Sequence, residues 1–223
     1  MSKRRALVLR PEPGASMTLA KARECGIEGI AVPLFMTEPV AWQAPEPAGF
    51  DGLLLTSANA VRCAGAQVQK LRGLEAYAVG EATAEAAREA GFDIAATGDA
   101  GVDRLLGSLE PGLRLLHLCG ADRRKPAGAK QRITPLVVYR SRALEAPDFR
   151  DASGSIALIH SPRAGQRFAE LVHRRNAIAI AAISPAAAEA VGDGWESVDI
   201  ALQPSDDALL ALAARLCNNS PPK

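Results

Sequence analysis

Short apolar runs alternate with segments of helical composition along the chain, and small residues stand at most of the boundaries. The apolar runs predict buried strands at 5–9, 30–35, 52–57, 77–79, 93–97, 114–120, 133–139, 156–161, 178–184 and 198–201. Helices are predicted at 17–25, 58–71, 81–91, 101–109, 162–176 and 205–217, with a further alanine-rich helix after Ser184-Pro185. Strands that alternate with helices in this way are typical of an α/β fold with parallel sheets.

One stretch, EAYAVGEATAEAAREAGF at 75–92, contains a strand that ends at Gly80 and a helix that opens at Glu81. The same device recurs as AIAAISPAAAEAVGDGW at 179–195. A strand, a small-residue turn and a helix N-terminus present free backbone N–H groups to an anion. Two copies suggest two such sites for one ligand.

The two copies belong to an internal repeat. Ser57 and Ser161 stand 104 residues apart, as do Gly80 and Ser184. Because the N-terminal unit resembles 113–140, the two halves contain the same five strands in a different chain order. We therefore predict two flavodoxin-like domains, each a doubly wound, five-stranded parallel sheet, with the second inserted in the first.

The predicted domain bounds follow from that permutation. Residues 1–37 and 152–223 form one domain, and residues 46–140 form the inserted domain. The segments 38–45 and 141–151 are predicted as linkers that pair like strands and act as a hinge.

Each predicted sheet has the strand order 2-1-3-4-5, which places a ligand crevice at the carboxyl ends of strands one and three. In the first domain these ends are Arg10-Pro11 and Ser161-Pro162. In the inserted domain they are Cys119-Gly120 and Ser57-Ala58.

The net charge is +1, which argues against a nucleic-acid partner. Residues 120–175 nevertheless hold twelve Lys and Arg against five Asp and Glu. This excess is either a set of solvated helix faces or a site that attracts a polyanionic small molecule. The apolar run near the N-terminus is too short for a signal peptide and no segment is long enough to span a membrane, so a cytoplasmic protein is expected.

Several familiar motifs are missing from the sequence. It has no dinucleotide fingerprint, phosphate loop or nucleophile elbow. The four cysteines are scattered and the three histidines lack ligand spacing, so no metal site is expected. His117 is predicted as a hydrogen-bonded core residue. His160 lies at a strand end, and the sequence leaves open whether it lines the ligand crevice.

The remaining candidates are small polar residues at turns: Ser57, Asn59, Thr83, Ser161 and Ser184. Each alone is explained by helix capping. Together, at matching positions of two domains, they suggest a site lined with hydroxyls and backbone N–H groups. Such a lining suits a ligand with several carboxylates.

The chain resembles the uroporphyrinogen-III synthase family over nearly its whole length. The matching segments are LVLRP (7–11), GLLLTSANAV (52–61), AVGEATAEAAREAGF (78–92), LLHLCG (115–120), VVYR (137–140), SPRAGQRF (161–168) and AAISPAAAEA (181–190). Their order, spacing and permuted repeat carry the resemblance. It implies a monomeric, cofactor-free lyase that cyclises hydroxymethylbilane to uroporphyrinogen III, with inversion of ring D and loss of water.

The resemblance also implies roles for single residues. Tyr139 matches the family's tyrosine and is expected to be the proton donor or hydrogen-bond partner of the departing hydroxyl. The expected substrate-binding residues are Arg10, Ser57, Ala58, Asn59, Gly80, Thr83, Gly120, Ser161, Arg163 and Ser184. The family often has threonine where this chain has Ala186-Ala187, and arginine is common where it has Asn59. An alternative is a non-catalytic binding or regulatory paralogue that recognises a polycarboxylate ligand.

Overall fold

The computed structural model describes residues 4–99, 101–123, 125–150 and 152–218. The chain divides into two units: unit 1 contains Met1–Met36 and Ala143–Lys223, and unit 2 contains Thr37–Arg142. Residues 1–3 and 219–223 of the predicted first domain, and residue 151 of the second predicted linker, lie outside the described residues.

The strands are β1 (Ala6–Val8), β2 (Gly29–Ala31), β3 (Phe35–Pro39), β4 (Gly52–Leu55), β5 (Ala76–Val79), β6 (Ile94–Gly98), β7 (Arg114–Gly120), β8 (Arg132–Ala143), β9 (Ile156–Ile159), β10 (Ala179–Ala182) and β11 (Ser197–Ile200). The helices are α1 (Gly14–Glu24), α2 (Ala58–Arg62), α3 (Glu81–Glu89), α4 (Val102–Ser108), α5 (Pro162–Leu171), α6 (Pro185–Val191) and α7 (Asp206–Asn218). Short 3-10 turns lie at Pro47–Gly49 and Gly65–Leu71.

Unit 1 contains a sheet with the strand order β2-β1-β9-β10-β11, and the neighbouring strands pair in parallel. Alternate side chains of its strands face opposite sides, so the unit has a core on each face. Leu7 and Ile159 pack with Phe168 of α5 on one face. Val8 packs with residues of α1 and α7, including Leu209, on the other face.

Unit 2 contains a sheet with the order β3-β8-β7-β4-β5-β6. The strands from β8 to β6 pair in parallel, and β3 adds a sixth strand at the edge beside β8. The prediction of five strands in this sheet was therefore wrong. Glu38 of β3 accepts hydrogen bonds from Arg140 (3.1 Å) and Arg142 of β8. The Arg142 hydrogen bond, followed by that of Arg140, holds the pKa of the Glu38 carboxyl below its ordinary value despite the opposing desolvation.

The sixth strand arises because the predicted strand 30–35 is interrupted at Pro33. Proline has no N–H to donate to a ladder. Consequently β2 ends at Ala31 and a separate strand begins at Phe35.

Two predicted helices are shorter than expected. The helix predicted at 58–71 ends at Arg62, and Gly65, with φ of +63°, begins a 3-10 turn. The helix predicted at 162–176 ends at Leu171, where the Arg175 side chain donates to the carbonyl oxygens of Ala169 (2.5 Å) and Val172 (3.2 Å). Those bonds satisfy carbonyl groups that a helix leaves unpaired at its end.

Candidate functional site

The carboxyl edge of the unit 1 sheet presents two serines that cap their own helices. Ser161 follows β9, and its Oγ accepts from the N–H of Ala164 at 3.2 Å. Ser184 follows β10, and its Oγ accepts from the N–H of Ala187 at 3.3 Å. Both hydroxyls therefore already serve a helix start, although each serine is half-buried and its hydroxyl hydrogen remains available as a donor.

Arg10 follows β1, which pairs with β9, so Arg10 and Ser161 lie after neighbouring strands. Its guanidinium lies against Gly14, where an added Cβ would be 2.5 Å from Arg10 Nε. Arg10 donates to Thr18 Oγ1 at 3.3 Å and lies 3.7 Å from the carboxylate of Asp206. The side chain of Arg10 is 37% exposed, so it can still contact a ligand.

Asp206 lies at the centre of this polar cluster. Its carboxylate accepts from Thr18 Oγ1 at 3.0 Å, and His160 Nε2 lies 2.8 Å from it. Burial raises the pKa of Asp206, but the hydrogen bonds from His160 and Thr18 outweigh that effect and hold the pKa below its ordinary value. Asp206 is therefore a half-buried anion that holds Arg10, Thr18 and His160.

Sequence reasoning missed the contributions of Thr18 and Asp206. In the sequence, Asp206 is simply an acidic residue in the first turn of α7, where it complements the helix dipole. Thr18 and Asp206 are 188 residues apart, and no local pattern reports their contact. His160, for which two alternatives were open, contacts Asp206 at this edge.

Arg163 lies in the first turn of α5, and its guanidinium carbon is 4.4 Å from the centre of the Phe35 ring. A guanidinium over an aromatic face is held in one orientation by the ring's negative face. Because Arg163 is exposed, its charge remains accessible to a ligand of unit 1.

In unit 2 the corresponding edge begins at Ser57, which follows β4. Its Oγ accepts from the N–H of Asn59 at 3.2 Å and so caps α2. Ala58 and Asn59 are the first two residues of that helix, and both are half-buried. The edge therefore presents their backbone together with the Asn59 side chain.

Gly80 precedes α3 and has φ of +83°, with open space where a Cβ would stand. No side chain among the described residues caps this helix. A ligand can therefore approach the backbone at Gly80 closely. Thr83, in the first turn of α3, is only 5% exposed, so most of its side chain is buried.

Gly120 and Tyr139 are brought together at the end of β7. They are register partners across a bulge between β7 and β8. A Cβ on Gly120 would lie 2.7 Å from Tyr139 Cζ and 3.0 Å from its Oη. The phenol therefore lies across the glycine, and within the described part of the chain no hydrogen-bond partner contacts its hydroxyl.

The donor set at both edges suits anions. Unit 1 presents two arginines and two serine-capped helix starts. Unit 2 presents the Ser57-capped start of α2, the uncapped start of α3, and the Tyr139 phenol beside Gly120. Among the described residues, no group of three or more His, Cys, Asp or Glu is placed to hold a metal ion. Helices of membrane-spanning length and apolarity are likewise missing from the part of the chain that is described.

Comparison with family models matches residues 17–211 to the family described as uroporphyrinogen-III synthase HemD. Comparison with curated proteins finds no match. Among solved structures, uroporphyrinogen-III synthetase from Helicobacter pylori is 19% identical with a TM-score of 0.69, and the alignment covers 96% of this chain and 99% of that one. A mutant uroporphyrinogen III synthase from Thermus thermophilus is 20% identical with a TM-score of 0.52, covering 98% of this chain and 100% of that one. These structures confirm the predicted α/β fold with parallel sheets.

Proposed function

The chain belongs to the uroporphyrinogen-III synthase family of heme biosynthesis, and we propose that it binds the carboxylates of hydroxymethylbilane through groups at the carboxyl ends of its strands. It then closes the linear tetrapyrrole to uroporphyrinogen III with ring D inverted. The observation that carries the proposal is the set of anion-binding groups at matching positions of the two units. The substrate's acetate and propionate groups are the anions that these groups would bind.

The carboxylates are bound mainly by neutral donors. The uncapped start of α3 at Gly80 offers backbone N–H groups, and the hydroxyl hydrogens of Ser57, Ser161 and Ser184 add further donors. Charge-assisted hydrogen bonds of this kind are stronger than neutral ones. Arg10 and Arg163 supply positive charge, the first from a fixed position beside Asp206 and the second from above Phe35.

Tyr139 acts on the hydroxyl that leaves the substrate. Its own hydroxyl has no partner among the described residues, so it is free to donate a hydrogen bond or a proton. Gly120 is required because any larger residue would displace the phenol. Tyr139 assists departure of the hydroxyl but is not an indispensable acid, because electron donation from the pyrrole rings drives most of that departure.

The proposed chemistry proceeds in two stages. The terminal hydroxyl leaves as water after protonation, and the electron pair of the pyrrole nitrogen forms an azafulvene. The substituted carbon of ring D attacks that electrophile to give a spiro-pyrrolenine, which fragments and re-closes at the other position with loss of a proton. The net loss of water defines a cyclising hydro-lyase.

The protein also has to prevent direct closure of the linear substrate. Binding the carboxylates at several points holds the chain folded for attack by the substituted carbon, which is a proximity effect. Without this restraint the same electrophile closes spontaneously to the un-inverted isomer I.

The isomer ratio tests this function directly. Purified protein, supplied with hydroxymethylbilane by a coupled preceding enzyme, is expected to give uroporphyrinogen III in excess over isomer I. A product mixture identical to the enzyme-free control would refute the catalytic function. If the protein still bound the substrate in that case, the result would favour the non-catalytic paralogue. Such a paralogue could have lost the threonine that the family often has where this chain has Ala186 and Ala187.

A further inference from the structure

Three elements of unit 1 meet at the side chain of Arg10. Arg10 itself follows β1, whereas Gly14 and Thr18 belong to α1 and Asp206 begins α7. Gly14 and Thr18 stand four positions apart, so they share one face of α1, and both lie against the Arg10 guanidinium. The position of Arg10 is therefore set by segments that are far apart in the chain.

The Thr18 hydroxyl connects Arg10 to Asp206. The pKa of Asp206 lies below its ordinary value, so its side chain is a carboxylate at neutral pH and has no hydrogen to donate. The Thr18 O–H therefore donates to Asp206 Oδ2, 3.0 Å away, and Thr18 Oγ1 accepts from Arg10 Nη1 at 3.3 Å. Because Thr18 is fully buried, this relay runs in one direction, from the guanidinium through the hydroxyl to the carboxylate.

Gly14 restricts the same guanidinium by its lack of a side chain. A Cβ at this position would lie 2.5 Å from Arg10 Nε and 2.8 Å from Arg10 Cζ. These atoms are the far end of a flexible side chain, which can move aside. Gly14 is not among the glycines with positive φ, so its backbone suits other residues as well. An alanine at position 14 would thus displace Arg10 at little cost in stability.

Arg10 keeps donors for a ligand. The bond to Thr18 is the one hydrogen bond of its guanidinium among the described residues, and a guanidinium has five N–H groups. Asp206 lies 3.7 Å away, which is too far for a hydrogen bond, and 37% of the Arg10 side chain is exposed. The fork of N–H groups matches a carboxylate. A fork that is already ordered loses less side-chain entropy when it binds one.

We propose that Gly14 and Thr18 are positioning residues, which together with Asp206 hold the Arg10 guanidinium ready for one carboxylate of the substrate. This inference rests on the proposed synthase function and adds the residues through which Arg10 gains its affinity. Gly14 and Thr18 act through Arg10 alone. Since the bound carboxylate is unchanged by the reaction, its contact is equally strong in the ground state and the transition state. Loss of either positioning residue should therefore raise KM and leave kcat nearly unchanged.

Steady-state formation of uroporphyrinogen III from hydroxymethylbilane tests the relay. Arg10→Gln is expected to raise KM about tenfold, because a charge-assisted hydrogen bond is lost. Thr18→Val, which removes the hydroxyl at nearly constant shape, should raise KM about fourfold, whereas Thr18→Ser should keep the wild-type value. In the Arg10→Gln background, Thr18→Val should raise KM no further, because the residue through which Thr18 acts is then missing.

Gly14→Ala tests the same positioning without removing a hydrogen-bonding group. It should raise KM about fourfold while the thermal unfolding midpoint stays at the wild-type value, a combination that a merely structural role would not produce. The matched control is Gly107→Ala in α4, where a Cβ would meet no atom within 4 Å. This control should leave KM unchanged.

Three results would overturn the proposal for a wild type that forms isomer III. These are an unchanged KM in Gly14→Ala and Thr18→Val, an equal effect of Thr18→Ser and Thr18→Val, or a full further rise in KM from Thr18→Val in the Arg10→Gln background. A wild type that yields isomer I alone would instead refute the synthase function, on which the proposal rests. The two failures are therefore distinguished by whether they are seen in the variants or already in the wild type.

Discussion

The first turns of α3 and α6 occupy matching positions of the two units, yet they are satisfied differently. In unit 1, Ser184 caps α6 by accepting from the N–H of Ala187. In unit 2, Gly80 provides α3 with no side-chain cap and leaves open space beside its backbone. A capped helix is stable without a ligand, whereas an uncapped one has donors that an anion can satisfy. Unit 2 is therefore the better adapted of the two for specific backbone recognition.

The largest expected difference between the two units is the loss of stability in acid, which His117 causes in unit 2. The pKa of His117 is lowered from 6.5 to about 4 by burial, so the unfolded chain binds more protons between those pH values and stability falls as pH falls through that window. The free energy of unfolding of the wild type should drop by up to about 3 kcal/mol from this group. Denaturant unfolding at a series of pH values measures it.

The control variant for this effect is His117→Val, which copies Val8 of unit 1. It should remove the loss between about pH 6.5 and pH 4. Parallel pH curves for wild type and variant would show that His117 is not the group responsible.

Two glycines that lie against tyrosines provide the next comparison. A Cβ on Gly120 would be 2.7 Å from Tyr139 Cζ, and a Cβ on Gly52 would be 2.6 Å from Tyr77 Cε2. Gly120→Ala and Gly52→Ala should each destabilise the protein by about 2 kcal/mol through overpacking. Only Gly120→Ala should also lower turnover, by about tenfold, because it displaces the proposed proton partner. Equal turnover in the two variants would show that Tyr139 takes no part in the reaction.

The Asp206 cluster of unit 1 predicts a smaller effect at lower pH. Asp206→Asn should lower the free energy of unfolding by about 1.5 kcal/mol at neutral pH, because hydrogen bonds to a charged acceptor are lost. Since the pKa of Asp206 is held below its ordinary value, its contribution is present above about pH 4 and disappears as pH falls through the folded-state pKa. The difference between variant and wild type should therefore shrink in acid.

The neighbouring Asp207 is a matched control, since it forms an exposed ion pair with Lys21. Asp207→Asn should change stability by less than about 1 kcal/mol, as exposed pairs do. An equal loss of unfolding free energy for Asp206→Asn and Asp207→Asn would show that the Asp206 cluster does not stabilise unit 1.

The smallest expected effect concerns the cap of α6. Ser184→Ala should cost about 1 kcal/mol of stability, whereas Ser184→Asp should keep the cap. The added carboxylate should instead raise KM severalfold, because it repels the carboxylates of the substrate. Thermal unfolding and steady-state kinetics separate the two effects, and an unchanged KM for Ser184→Asp would place the substrate elsewhere.

Patterns within short segments predicted much of the fold. The apolar runs identified the parallel strands. The serines before α2, α5 and α6 cap their helices, which confirms one of the two interpretations given to them, whereas their contact with a ligand stays a prediction. Breaks inside elements were harder to predict. One predicted strand stops before Pro33 and one predicted helix stops before Gly65. In each case a single residue interrupts a segment whose other residues fit the predicted element.

The site was predictable only where its residues lie at strand ends. Arg10, Ser57 and Gly120 lie at or just after the ends of β1, β4 and β7, as predicted, and the carboxyl ends of parallel strands meet at one edge of each sheet; their role in binding stays a prediction. The contact of Thr18 with Asp206 was not predictable, since it joins residues 188 positions apart. The burial of Thr83 was also missed, because a threonine in a first turn is equally compatible with a free hydroxyl.

The most direct test of the central claim, that the phenol of unit 2 assists departure of the substrate hydroxyl, uses both tyrosines of the chain. Turnover of hydroxymethylbilane is measured for Tyr139→Phe and for Tyr77→Phe, whose ring lies against Gly52 at the amino end of β4. Tyr139→Phe should lower kcat by about tenfold or more while Tyr77→Phe leaves it unchanged. Equal kcat for Tyr139→Phe and the wild type would contradict the assignment.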